Sequence, residues 1–344
     1  MNARLALGAV SLLLGLCLME LAVRWLDLPP RPLEPLPIRN YQLSDNPLMR
    51  YEYRPNYQPT DPPYDFMHRG YRTNSAGFRD RERSVSKPAG VYRILLIGDS
   101  TLVGNGVRDS ERLFASLLEV RLNGGSRAPV EVLNMGVGGY HTVQEVALLE
   151  ERGLAYAPNL VMLGVTLNDL DLASDAGVYQ WLLKANPGVE PQRGRGLYAR
   201  SLAQSRLLFV LHHRLRGWLG RQGAPLGRDA HDRWYEENVL RGGSTLEVGF
   251  EMLARLRASH GFEVLVFVLP AFSDPFSRYR HGDFHTLVEE VAKRFDFRVL
   301  DLIPGFQALN DDASLFALDA MHLNERGHAA LAEILAREVG PKVR

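Results

Sequence analysis

The chain contains a single cysteine, Cys17, and its charges cancel, with 40 Lys and Arg residues against 40 Asp and Glu residues. One cysteine excludes both an intrachain disulfide and a cysteine-based metal cluster, so packing must hold the fold together. The absence of net charge and of a dense Lys/Arg run argues against a nucleic-acid-binding protein. With 344 residues, of which 46% are hydrophobic, the chain is long enough for one substantial domain and an appendage.

The longest uncharged apolar stretch lies near the amino terminus, from Leu5 to Met19, and apolar character resumes after Glu20. This length is sufficient to span a bilayer. Because large residues at its end fit a cleavage site poorly, residues 1–28 are predicted to be an uncleaved membrane anchor rather than a signal peptide. A lipoprotein signal at Cys17 is disfavoured, since Leu16 precedes it where a small residue is needed. Arginines flank both ends, so the charge pattern does not decide the orientation.

Residues 29–90 are predicted to be an extended tether followed by a segment that wraps the next domain. Prolines are frequent between Pro29 and Pro63, and no helical or alternating period persists there. The segment Tyr71–Arg79 is polar and carries turn-forming residues, which favours a structural role over a functional one.

Within residues 91–344, short apolar runs alternate with helical patterns. Strands are predicted at Tyr92–Ile97, Val130–Leu133, Leu160–Leu163, Glu263–Leu269 and Phe297–Leu300. Helices are predicted near Glu111–Asn123, Thr142–Ala155, Thr245–Ser259, Phe284–Phe295 and Glu325–Val339. This alternation predicts a parallel sheet of about five strands between two helical layers, because right-handed crossovers place helices on both faces.

Residues 172–243 interrupt this alternation and are predicted to be a helical insertion. Apolar residues between Leu207 and Leu219 recur at near-helical spacing, which favours a packed helix face. A lid or a surface that rests on a membrane is the alternative interpretation.

Four polar motifs lie where the predicted strands end or just before the last helix. They are Gly98-Asp99-Ser100, NMGVGGY (134–140), TLND (166–169) and DAMH (319–322). In open α/β sheets, sites form beyond the carboxyl ends of the strands. In order and placement the four motifs resemble the SGNH (GDSL) hydrolase family, over roughly Tyr92 to Val339. The resemblance implies a flavodoxin-like, three-layer α/β/α fold and a serine esterase.

The same resemblance implies a role for each of five residues. Ser100 is expected to be the nucleophile, which needs a base because a serine hydroxyl is weakly nucleophilic at neutral pH. His322 is expected to be that base, and Asp319 to orient its imidazole. The oxyanion donors are expected to be the amides of Ser100 and Gly139 and the side chain of Asn168. Gly136 and Gly138 are alternatives to Gly139, since they lie in the same loop.

Two positions depart from the common family pattern without removing a catalytic group: Thr101 follows the serine, and Thr166 stands where a glycine often precedes the asparagine. Asp99 and Asp169 flank the site, but the family chemistry uses no metal, and no cofactor is predicted. His328 is predicted to be a helix-packing residue rather than a second base.

The leading hypothesis is a membrane-anchored esterase, and the family resemblance implies that its catalytic domain lies outside the cytoplasm. Its partner would be an ester-bearing carbohydrate or lipid, an O-acetyl group on a carbohydrate being one candidate. An O-acyltransferase for an exported polysaccharide would use the same residues, because the choice of acceptor depends on how dry the site is. A non-catalytic polysaccharide-binding protein is the alternative from another class. The oligomeric state stays open.

Overall fold

The computed structural model describes residues 3–25, 40–58, 71–125, 128–170, 178–179, 182 and 245–342. The chain divides into two compact units, Met1–Pro37 with Asn186–Glu237 and Ile38–Ala185 with Asn238–Arg344. In the first unit, the described residues form one helix, α1 (Ala3–Trp25). The second unit contains the sheet and every predicted site residue.

Helix α1 covers most of the segment predicted to be a membrane anchor. It includes three charged residues, Arg4, Glu20 and Arg24. In the part of the chain that the structure describes, no helix is both long and apolar enough to cross a bilayer. The predicted transmembrane helix is therefore not supported.

The described strands form one small antiparallel pair and one larger parallel sheet. They are β1 (Tyr41–Leu43), β2 (Tyr51–Tyr53), β3 (Tyr92–Ile97), β4 (Val130–Asn134), β5 (Leu160–Val165), β6 (Glu263–Val268) and β7 (Arg298–Asp301). Strands β3 to β7 are all parallel, in the spatial order β4-β3-β5-β6-β7. Counted from β3, this is the order 2-1-3-4-5 of flavodoxin-like folds. The predicted five-stranded parallel sheet is confirmed.

Helices cover both faces of this sheet, which confirms the predicted three layers. The helices are α2 (Ser100–Val103), α3 (Phe114–Asn123), α4 (Thr142–Leu148), α5 (residues 245–260), α6 (Gly282–Arg294), α7 (Ile303–Leu309) and α8 (Glu325–Val339). On one face, α3, α7 and α8 pack with Ile94 and Leu96 of β3 in a single apolar core. Leu95 points the other way, towards the turn that follows α4, where it contacts Gly153. Because both faces are covered, β3 is apolar at consecutive positions.

The structure departs from the predicted elements by more than two residues at three places. Helix α3 begins only at Phe114, because Leu113 has an extended backbone (φ −71°, ψ 147°) after a 3-10 turn. Helix α4 ends at Leu148, and the chain continues as a π turn over Leu149–Gly153. Helix α7 was not predicted; it spans seven residues and has a proline in its first turn. A helix this short gives little periodic signal in the sequence.

Strands β1 and β2 lie in the segment predicted to be an extended tether. They pair with Tyr41 opposite Tyr53 and Leu43 opposite Tyr51. Tyr41, Tyr51 and Tyr53 are each at most 3% exposed, so this part of the segment is packed into the domain. Strands of three residues are too short to show an alternating pattern, which explains why the sequence did not reveal them. The predicted insertion at 172–243 lies outside the described residues except at 178–179 and 182.

Candidate active site

Three of the predicted site residues form a continuous hydrogen-bonded chain. Ser100 Oγ lies 2.9 Å from His322 Nε2. His322 Nδ1 lies 2.8 Å from Asp319 Oδ2. Ser100 and His322 are 222 residues apart in the chain, so the fold brings them together. The arrangement is that of a nucleophile, a base and a carboxylate that orients the base.

Ser100 is positioned by the tight turn between β3 and α2. Asp99 caps the short helix, since its Oδ1 accepts a hydrogen bond from the Thr101 amide at 2.8 Å. A Cβ at Gly98 would lie 2.5 Å from the Leu102 side chain, so glycine is needed before the cap. Gly104 ends the helix with φ 79°, a left-handed conformation that glycine adopts without strain. The serine therefore stands at the carboxyl end of β3, as predicted.

The loop before α8 holds Asp319 and His322 as one local unit. Asp319 Oδ1 accepts hydrogen bonds from the amides of Met321 and His322, both at 2.8 Å. Partial burial acts to raise the pKa of Asp319, but these amides and the His322 ring outweigh it and lower the pKa below its usual value. Because the ionised carboxylate can only accept, it favours the proton on His322 Nδ1. Nε2 is then the acceptor for the Ser100 hydroxyl.

The two predicted oxyanion residues lie close together on neighbouring loops. Asn168 is in a 3-10 turn after β5, and its Nδ2 lies 3.4 Å from the carbonyl oxygen of Tyr140, the residue after Gly139. Gly139 has φ 83° in the turn that precedes α4. The amides of the alternatives Gly136 and Gly138 donate to Asn134 Oδ1 and to Tyr53 Oη respectively. The assignment of Gly139 and Asn168 as oxyanion donors stays a prediction.

A polar network beneath the site connects two of the four motifs and reaches the first residue of α4. The Thr166 hydroxyl bonds Asp99 Oδ2 at 3.0 Å and also contacts Asn168 Oδ1. Asp169 accepts from the Thr166 amide at 2.7 Å and from the Thr142 hydroxyl at 2.8 Å. Thr166 was noticed only as a departure from the family pattern, and its link to Asn168 was not predicted.

Asp169 and Glu145 are buried acids with raised pKa values. Burial and the nearby Asp99 raise the pKa of Asp169 to about 8, although its hydrogen bonds act in the opposite direction. Burial, then Asp169 and Asp99, raise the pKa of Glu145 well above its usual value. Neither carboxyl oxygen of Glu145 has a hydrogen-bond partner among the described residues. Among all the residues that the structure describes, no group of three or more His, Cys, Asp or Glu side chains is arranged to hold a metal ion.

His328 is a packing residue, as the sequence predicted. It is fully buried, stacks on the Phe114 ring at 5.9 Å between ring centroids, and accepts a hydrogen bond from the Phe114 amide on Nδ1. Burial, with a smaller contribution from Arg79, lowers the pKa of His328 to about 3, so the ring is neutral.

A group of tyrosines on β1 and β2 contacts the loop that contains Gly139. We call Tyr41, Tyr51 and Tyr53 the hairpin tyrosines. Tyr51 Oη donates to the Gly138 carbonyl at 3.0 Å, and the Gly138 amide donates to Tyr53 Oη at 2.9 Å. Sequence analysis did not find these residues. The only available signal was the Tyr-Glu-Tyr spacing at 51–53, which places two aromatic residues on one face of a strand.

The chain is similar to known proteins both in sequence and in fold. A model of the GDSL-like lipase/acylhydrolase family matches residues 96–330, more than half of the chain. No curated protein matches the chain. A lipase/acylhydrolase from Enterococcus faecalis is 16% identical with a TM-score of 0.44, and the match covers 74% of this chain and 97% of that one.

Two further solved structures are similar at comparable levels. The acetylxylan esterase Axe2 from Geobacillus stearothermophilus is 15% identical with a TM-score of 0.43, and the match covers 72% of this chain and 94% of that one. The two-domain esterase CEX, which is active on acetylated mannans, is 14% identical with a TM-score of 0.44. That match covers 74% of this chain and 50% of CEX.

Proposed function

Because the chain belongs to the GDSL-like lipase/acylhydrolase family, we propose that it hydrolyses a carboxylic ester through an acyl intermediate on Ser100. The observation that carries this proposal is the continuous chain from Ser100 Oγ through His322 to Asp319, with contacts of 2.9 and 2.8 Å. These lengths are those of hydrogen bonds through which a proton can pass.

In the first half-reaction, Ser100 Oγ attacks the carbonyl carbon of the ester while His322 Nε2 takes the hydroxyl proton. The carbonyl electron pair moves onto oxygen, where the amides of Ser100 and Gly139 and the side chain of Asn168 stabilise it. Collapse of this intermediate breaks the bond to the alcohol oxygen. The imidazolium then returns its proton to the departing alcohol, and Asp319 stabilises the positive charge meanwhile.

In the second half-reaction, water replaces the alcohol. His322 Nε2 takes a proton from the water as its oxygen attacks the acyl carbon, and the same donors stabilise the second oxyanion. Breaking the bond to Ser100 Oγ releases the carboxylic acid, and the proton on His322 returns to the serine. Each step begins and ends with the same protonation of Ser100 and His322, so the enzyme is regenerated.

The acyl group that we propose is short, as the sequence predicts for an O-acetyl ester. A small cavity of about 10 Å³ is lined by Thr166, Leu167, Leu269, Pro270, Ala271 and Met321, beside the loops of Asn168 and His322. Ser100, His322, Gly139 and Asn168 do not line this cavity, so acetyl stays a prediction. A carbohydrate as the alcohol part of the ester, and a location outside the cytoplasm, stay predictions.

Hydrolysis of p-nitrophenyl acetate, butyrate and octanoate by the full chain tests the proposal. We expect turnover that falls with chain length and is lost in Ser100→Ala. Ser116→Ala, which removes a hydroxyl on α3 that donates to the backbone carbonyl of Ser110, is the matched control and should retain activity. Turnover that persists in Ser100→Ala, or no turnover of any ester, would contradict the proposed mechanism.

Acetylated xylan and mannan, with free acetate as the readout, then test the alcohol part of the substrate. Formation of an acetylated sugar in place of acetate, when an unmodified carbohydrate is added, would identify the acyltransferase alternative. Tight carbohydrate binding with no acyl transfer would instead favour the non-catalytic role.

A further inference from the structure

The loop that carries Gly139 is a four-residue turn from Val137 to Tyr140. The Tyr140 amide donates to the Val137 carbonyl at 3.2 Å, so Gly138 and Gly139 are its two central residues. Gly139 has φ 83°, the value typical of the third residue in a type II turn. Type I and type II turns differ mainly in the orientation of the central peptide, which here joins Gly138 to Gly139.

This central peptide carries the amide that the proposed mechanism uses. In a trans peptide, the carbonyl of one residue and the N–H of the next lie in one plane and point in opposite directions. The direction of the Gly138 carbonyl therefore sets the direction of the Gly139 N–H. Two consecutive glycines have no side chains to favour either orientation, so the surroundings must decide it.

Contacts from the hairpin tyrosines favour one orientation. Tyr51 Oη donates to the Gly138 carbonyl at 3.0 Å, and Tyr41 Oη approaches the same oxygen at 3.4 Å. The Gly138 amide donates to Tyr53 Oη at 2.9 Å, and the hydroxyls of Tyr41 and Tyr53 are 3.0 Å apart. The three tyrosines thus contact both polar groups of Gly138.

The fit leaves no room for a side chain at Gly138. A Cβ there would lie 2.5 Å from Tyr41 Oη and 3.1 Å from Tyr53 Oη. The same Cβ would lie 3.6 Å from the Cβ of Ser100, which places the contacted peptide beside the nucleophile. Glycine at this position therefore allows the hydroxyls to approach the backbone closely.

The hydroxyls of Tyr41 and Tyr53 keep their protons at neutral pH. Burial raises the pKa of Tyr53, and burial together with the neighbouring tyrosines raises the pKa of Tyr41 well above its usual value. A neutral hydroxyl can donate to the carbonyl, whereas a phenolate could not.

We propose that the hairpin tyrosines are positioning residues, which orient the Gly138–Gly139 peptide so that the Gly139 N–H faces the oxyanion. This inference rests on the proposed function, since the direction of that N–H affects turnover only if an ester carbonyl binds there. It gives the segment before the sheet a part in catalysis, although the hairpin tyrosines bond Gly138 rather than Ser100 or His322.

Phenylalanine substitutions in the full chain test the proposal through the kinetics. Tyr51→Phe is expected to lower kcat about three- to tenfold, because a neutral hydrogen bond changes an equilibrium by about that factor. Tyr41→Phe/Tyr51→Phe removes both donors to the carbonyl and should lower kcat about 10- to 100-fold, approaching the loss of one oxyanion donor. KM should stay within about twofold, because the oxyanion forms only in the transition state.

The control variant is Thr73→Val. The buried Thr73 hydroxyl donates to the backbone carbonyl of Arg54, the residue after β2, so it holds the hairpin segment without bonding the Val137–Tyr140 turn. Its removal should lower Tm about as much as Tyr51→Phe but leave kcat within about twofold of the unsubstituted protein. A double variant that retains full kcat, or a control that loses as much kcat as Tyr51→Phe, would overturn the proposal.

A second measurement does not depend on ester hydrolysis. In the full chain labelled with ¹⁵N-glycine, the Gly139 amide resonance can be assigned from its disappearance in Gly139→Ala. We expect this resonance to shift and broaden in Tyr41→Phe/Tyr51→Phe, as the peptide samples both orientations, and to stay unchanged in Thr73→Val. An unchanged resonance in the double variant would refute the inference. If the protein hydrolyses no ester, the proposed function fails while the resonance still decides the inference.

Discussion

The base of the candidate active site is bonded by residues close to it in the sequence, whereas the oxyanion side is bonded by residues far from it in the sequence. Asp319 binds the amides and the ring of residues two and three positions away. The Gly138–Gly139 peptide is contacted by the hairpin tyrosines, which lie 85 to 97 positions earlier. The base is thus assembled by its own loop, whereas the oxyanion side depends on the docking of a separate segment.

The two sides also differ in burial. The side chains of Asp319 and His322 are 48% and 21% exposed. Asp99, Asp169 and Glu145, beneath the oxyanion side, are at most 1% exposed. Solvent and backbone amides favour the ionised form of Asp319, while burial favours the neutral form of Asp169 and Glu145. One side therefore carries its charge near water, and the other keeps acidic groups protonated in the interior.

Substitution of the base-side carboxylate should have the largest effect. Asp319→Asn is expected to lower kcat about 10³- to 10⁴-fold, because an amide cannot hold the imidazole in the required tautomer. Since the pKa of Asp319 is lowered, its protonation should not limit activity above pH 4. Steady-state kinetics of ester hydrolysis would measure both effects.

Asp312→Asn is the matched control for that substitution. Asp312 caps a 3-10 turn by accepting from the Ser314 amide, and it lies outside the site. Its replacement should leave kcat nearly unchanged. A similar loss in both variants would mean that the base side is not the self-contained unit described above.

The difference between contacts of short and long sequence separation also explains which features could be predicted from the sequence. Strand β3, the turn at Ser100 and the pair Asp319 and His322 follow from apolar runs and short motifs, which are local signals. Helix α8 was predicted with its observed bounds, Glu325–Val339, because its amphipathic pattern is long. The role of Gly139, by contrast, came only from the family resemblance.

The long-range contacts had no local signal. Tyr41 and Tyr51 lie in a proline-rich stretch with no period, and no pattern there indicates that they contact Gly138. Glu145 was assigned to a helix, but its burial beside Asp169 depends on how α4 packs against the 3-10 turn after β5. Thr166 was visible as an unusual residue, although its bond partners, Asp99 and Asn168, could be identified only in the folded chain.

A smaller effect is expected at Thr166, which joins the nucleophile turn to the oxyanion side. Thr166→Val keeps the shape of the side chain but removes the hydroxyl that bonds Asp99 and contacts Asn168. The Asn168 amide would lose an orienting partner, and kcat should fall about three- to tenfold. Thr166→Ser keeps the hydroxyl and should recover most of that loss. Equal activity in the valine and serine variants would show that Asn168 is oriented without this contact.

Glu145→Gln should change activity least. Its effect should appear in the pH dependence of stability, because Glu145 is one of the buried acids beneath the oxyanion side. The raised pKa of Glu145 means that the native state holds its proton more tightly than the unfolded state. Its contribution to stability is therefore present at low pH and is lost as pH rises from about 4.5 through the raised pKa. Glutamine cannot ionise, so the Tm of the variant should exceed that of the unsubstituted protein by a margin that grows from pH 5 to pH 8. For a domain of this size, each kcal/mol corresponds to about 2–4 °C. Calorimetry from pH 5 to pH 8 measures this difference in Tm, and kcat should stay within about twofold. A difference in Tm that is independent of pH would show that Glu145 is already ionised in the folded protein.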